Sequence, residues 1–139
     1  VKRLRPCYIA APYGNPDPEQ VARNVERATL LGRLALAYGY CPVVPHLLVP
    51  PLTGPESPDQ PEVRRQALAL GLELVRMVHS RDGLMWLLLN ADGTRTAGVR
   101  AEEILWTELG ALTCARHSWA ELEGAMTLRG MADHWRRLR

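Results

Sequence analysis

"GLMWLLLN", residues 83–90, holds six consecutive apolar side chains, Leu84 to Leu89, with no polar residue between them. A strand with one wet face alternates apolar and polar, so this run reads as a strand covered on both faces. Strands of that kind belong to parallel sheets with helices above and below. The flanking segments fit. Upstream, Val63, Ala67, Leu70, Leu74 and Met77 recur at helical spacing. Downstream, "ADGTRTAG" (91–98) is a loop, and Glu102, Leu105, Trp106 and Leu109 then share one face of a further helix.

Further out, "CYIAAP" (7–12) is a short apolar run ended by Pro12 and reads as the first strand. Asp17, Pro18 and Gln20 form a capping-box arrangement that starts a helix. Val21, Val25, Ala28, Gly32 and Ala35, widened by Leu31 and Leu34, give its stripe, and Gly39 stops it. "CPVVPHLL" (41–48) is expected as the second strand, its prolines placing it at an edge. Residues 49–61 hold five prolines and are expected to form an extended loop, a candidate lid. "ALTCAR" (111–116) is expected as the last strand, and residues 118–138 as a last helix. Helices alternating with apolar strands imply an α/β fold, a flavodoxin/Rossmann-like three-layer sandwich. Right-handed crossovers favour a four-stranded parallel sheet in the order 2-1-3-4 with helices on both faces.

The chain has 139 residues, enough for a single domain spanning residues 1–139 with a real core. Charged residues make up 23% and the net charge is +2, which gives no nucleic-acid surface; the basic residues of "HWRRLR" read as cations ending a helix. No apolar stretch is long enough to span a membrane, and no signal peptide is visible. Cys7, Cys41 and Cys114 cannot all pair and match no zinc spacing. Buried free thiols in a reducing, cytoplasmic compartment are expected.

Ligands of such sheets bind outside the carboxyl ends of the strands. That collects "APYGN" (11–15), "PHLL" (45–48), the loop from Asn90 to Gly98, and the proline loop. Glu102 stands where that last loop becomes a helix. A carboxylate in a first turn meets unpaired N–H groups and the positive end of the dipole, which favour its ionised form. An ionised, partly desolvated carboxylate suits attack on a sugar anomeric carbon, although a first-turn acid is also an ordinary helix feature. Thr96 and the amides around Gly98 and Val99 can hold an anion, with Arg95 and Arg100 adding charge; a plain Thr cap explains the same residues. Tyr8 can orient a carboxylate, and Tyr13, next to Pro12, can stack on a base. His46 ends the second strand at a pocket position. Asp82 reads as structural, Trp86 and Trp106 as core, and Glu73 as solvated. Neither a Ser-His-Asp set nor a metal-ligand set stands out, so no cofactor is expected.

"YIAAPYG" (8–14), "NVERATLLGRLALAYGYCPVVPHLL" (24–48) and "TAGVRAEEILWTELG" (96–110) together resemble the nucleoside 2-deoxyribosyltransferase superfamily. The likeness is nearest to its uncharacterised branch, with "YIAGPY", "GYAPVVPH" and S-x-G-M-R-A-E, and runs from about residue 7 to residue 112. The resemblance implies that Glu102 is a nucleophile toward C1′ of a nucleoside or nucleotide and that Tyr8 stands beside it. It also implies a homodimer or larger assembly. Deoxyribosyltransferases carry Asp where Thr96 stands, serving the sugar 5′-hydroxyl; related nucleoside 5′-monophosphate N-glycosidases carry Ser there, in a phosphate-binding loop. Thr96 is uncharged and can donate to a phosphate. The expected activity is therefore hydrolysis of the N-glycosidic bond of a nucleoside 5′-monophosphate, with Pro12, Tyr13, His46, Thr96, Gly98, Val99 and Arg100 around the substrate. The alternatives are a nucleoside deoxyribosyltransferase and a non-catalytic nucleotide-binding or sensing domain. The chain departs from the branch at Ala11, Val99 and Glu103, and Glu73 matches a second family acid only approximately.

Overall fold

The computed structural model describes residues 3–54, 59–90, 92–110 and 114–118. Its elements run β1 (Arg5–Ala10), α1 (Pro18–Ala37), β2 (Tyr40–Val43), α2 (Pro45–Thr53), α3 (Pro61–Ser80), β3 (Leu84–Leu89), α4 (Ala97–Glu108) and β4 (Ala115–Ser118). The strands form one parallel sheet in the order β2-β1-β3-β4. That is the expected fold. β4 begins at Ala115, at the end of the segment expected to form it, while residues 111–113 and the expected last helix lie outside the described residues.

The all-apolar strand does what its composition requires. Trp86 and Leu88 join Cys7, Ile9 and the α1 residues Ala28, Leu31 and Ala35 on one face. Met85 and Leu87 join Tyr8, Ala10, Val75, Val78, Val99 and Trp106 on the other, under α3 and α4. α1 approaches β2 closely at Gly32, where an added Cβ would stand 2.8 Å from the Val44 side chain. Gly39, at φ +87°, then turns the chain into the edge strand. In β2 Pro42 faces Cys7, and its missing N–H is tolerated because the strand lies at an edge.

Several local expectations need correction. Asp17 does cap α1, accepting from the Glu19 amide, but Gln20 turns away to donate to Asn24, so no reciprocal capping box forms. The second strand stops at Val43, and residues 45–53 are helical rather than a strand followed by an extended loop. Pro45 opens α2 at its first position, where a missing N–H costs nothing. Pro50 and Pro51 remain inside it. Tertiary contact outweighs their helix-breaking tendency: Val49 is buried as α2 packs on α3 and α1. The stripe of α3 is also displaced. Gly71, Val75 and Val78 are its buried residues, while Met77 is 58% exposed. α3 has apolar side chains on more than one face, and the small and β-branched set approaches the sheet. Of the cysteines only Cys7 is buried; Cys41 is exposed and Cys114 half-buried.

Candidate active site

β1 and the loop after it, the length of α2, the first half of α3 and the start of α4 line a cavity of about 220 Å³. Tyr8, Tyr13, His46, Thr96, Gly98, Val99 and Glu102 line it. Seven of the nine expected site residues are therefore gathered by elements far apart in sequence. Pro12 lines a neighbouring polar cavity instead, which shares Gly14 and Thr96 with the first. Arg100 is exposed and does not line the cavity. Arg95 directs its charge at Glu103, 2.8 Å away, and Arg116 of β4 contacts the same carboxylate at 3.1 Å. Glu103 thus ties the loop before α4 to the last strand. Glu73 is exposed and paired with Arg76, as a solvated residue should be.

Glu102 is not a first-turn acid. Thr96 is the N-cap of α4, which places Glu102 in the second turn, beyond the reach of the terminal amides. Burial, not the helix dipole, dominates its titration and pushes the carboxyl from 4.5 up to about 7, against a smaller lowering by a hydrogen bond from Tyr8. The expected preference for the ionised form is overturned. Its Oε2 is buried without a hydrogen-bond partner, on the wall of the cavity. The hydroxyl of Tyr8, a fully buried residue of β1, lies 3.4 Å from the Gly71 carbonyl oxygen and within hydrogen-bonding reach of Glu102, so its one proton is shared between two acceptors. Desolvation first, and the Glu102 charge second, hold this phenol protonated well above its ordinary range.

At the other end Thr96 accepts from the Val99 amide at 3.3 Å, so that amide is already engaged. The amides of Ala97 and Gly98 belong to the unpaired first turn and border the cavity. An added Cβ on Gly98 would meet nothing within 4 Å, which leaves room for a ligand against the backbone. Opposite stand Arg64, Ala67 and Leu68 of α3 with Val49, Pro50 and Thr53 of α2. The sequence reading missed all of these except as part of a proline loop. Arg64 had a usable signal, lying one turn before Leu68 on the helix face that also carries Gly71. Among the described residues no cluster of three or more His, Cys, Asp or Glu side chains can hold a metal ion.

Fold and cavity together define a Rossmann-like domain with a cavity at the carboxyl edge of its sheet, the place where ligands of such sheets bind. Residues 5–108 match the family described as a domain of unknown function, DUF7768, and the chain belongs to that family. Neither a curated protein nor a solved structure matches it significantly.

Proposed function

We propose that this domain hydrolyses the N-glycosidic bond of a nucleoside 5′-monophosphate. One observation carries the reading: Glu102, with one carboxylate oxygen buried and lacking a hydrogen-bond partner, lines the same cavity as the first residues of α4, whose amides are free of intrahelical partners. In the proposed reaction the ionised carboxylate attacks C1′. The C1′–N bond breaks, its electron pair leaves with the base, and the base takes up a proton. Water then attacks C1′ of the glycosyl-enzyme and gives up a proton to solvent, matching the one the base took up, while the C1′–O bond to Glu102 breaks to free the sugar phosphate and restore the carboxylate. Tyr8 holds Glu102 in place without competing for charge, since the phenol stays neutral. Thr96 and the first amides of α4 receive the phosphate.

The test is chromatographic detection of free base from a panel of ribo- and deoxyribonucleoside monophosphates. Release by the wild type and its loss by orders of magnitude in Glu102→Gln is the expected result; equal release by both proteins sinks the assignment. A cytoplasmic location and a homodimeric assembly are proposed with it. Among the described residues no helix is long and apolar enough to cross a membrane. Trp119 and Met126, the apolar residues expected to serve a dimer contact, lie outside the described residues.

A further inference from the structure

His46 sits in the first turn of α2 and is only 8% exposed. Its Nε2 lies 2.8 Å from the Pro12 carbonyl oxygen. A carbonyl oxygen can only accept, so Nε2 carries the hydrogen. In the neutral ring Nδ1 is then a bare acceptor, and that atom is buried without a hydrogen-bond partner. Burial keeps the ring neutral by lowering its pKa, against smaller opposing effects of the Pro12 and Ala11 carbonyls. The Tyr13 ring meets the imidazole edge-on, with centroids 5.2 Å apart and planes at 82°, and so limits its rotation. Beside it the cavity wall is apolar, made by Val49 and Pro50. A buried acceptor with nothing to accept is costly unless a ligand supplies the donor.

We infer that His46 Nδ1 is a specificity element, accepting a hydrogen bond from an exocyclic amino group on the base of the ligand. The choice of a base rests on the nucleotide reading above. With the sugar held at Glu102 and the phosphate at the start of α4, the base extends toward α2. The edge of a base far from its glycosidic nitrogen carries its exocyclic group, and the flat apolar wall around His46 suits the ring. The site therefore selects amino-bearing bases over the same rings without the amine.

Nitrogen-15 NMR of labelled histidine and calorimetric binding test this together. The ligand-free protein at neutral pH is expected to show His46 neutral with its proton on Nε2. Adding adenosine 5′-monophosphate is expected to shift the Nδ1 signal upfield, as acceptance of a hydrogen bond does. The wild type is expected to bind adenosine 5′-monophosphate about tenfold or more tightly than purine riboside 5′-monophosphate, because only the first fills the acceptor. His46→Gln can still donate to Pro12 but has no lone pair at the Nδ1 position, so the two nucleotides should bind nearly alike. His46→Asn, with a carbonyl oxygen near that position, should recover part of the preference. A proton on Nδ1, equal binding of the pair by the wild type, an unchanged preference in His46→Gln, or no binding of either nucleotide overturns the inference. The two proposals fail separately. Selective binding without base release removes the glycosidase and keeps the His46 role, and base release without selectivity does the reverse.

Discussion

Glu102 and Tyr8 are six residues short of a hundred apart in the chain's chemistry only in sequence; in the fold they share one buried corner. The consequence is measurable in two ways. Between 4.5 and about 7 the native carboxyl keeps a proton that the unfolded chain has already lost. The native state therefore binds more protons across that window, and stability falls as pH rises through it. Glu102→Gln removes this cost, so at pH 8 the variant should be more stable than wild type by on the order of 1–3 kcal/mol. Urea melts at pH 5 and pH 8 read the difference, and a variant less stable than wild type at pH 8 contradicts the burial argument. Base release should rise with pH through about 7, since only the ionised carboxylate attacks. Thr96 gives a second residue-scale expectation. Asp caps helices as well as Thr does, so Thr96→Asp keeps the start of α4 while placing a negative charge at the cavity. Nucleoside monophosphates should weaken by about tenfold or more relative to nucleosides. Equal losses in calorimetry would leave Thr96 a helix cap only.

Among elements, β1, β3, α1 and α4 were readable because each carries one unambiguous pattern, an unbroken apolar run in the strands and a single stripe in the helices. β3 has no alternation at all, and α4 repeats Glu102, Leu105, Trp106 and Leu109 on a single face. α2 was not readable. "VVPHLL" has an apolar run like a strand's, and Pro50 and Pro51 argue against helix; only the bed formed by α1 and α3 makes nine helical residues stable there. α3 was readable as a helix but not in its orientation, since two apolar stripes compete and Val75 and Val78 win the sheet. The junction between α3 and β3 supplies an element-scale prediction. At Gly83 a Cβ would lie 2.6 Å from the Val78 carbonyl oxygen and 2.8 Å from that of Pro6. Both are backbone atoms, so neither can swing aside. Gly83→Ala should cost about 1–3 kcal/mol, seen as a lower urea midpoint at an unchanged slope. An unchanged midpoint would mean that α3 can slide relative to β1.

For the whole molecule, the homodimer proposed from the resemblance is open to light scattering, and a monomer at working concentration removes it. The sequence by itself determined the four-stranded parallel sheet, its order, the edge position of β2 and the end of the sheet where the cavity opens. These follow from hydrophobic period, turn residues and crossover handedness, which are local or nearly so. It also singled out Tyr8, Tyr13, His46, Thr96, Gly98, Val99 and Glu102, which the fold brings to one cavity. Only the tertiary structure decided that Arg100 faces solvent, that Arg64 and Leu68 complete the wall, and that Glu102 titrates near neutrality rather than as a dipole-stabilised carboxylate. Desolvation is a property of everything packed around a group, and the residues that bury Glu102 come from strands and helices that no sequence window contains together.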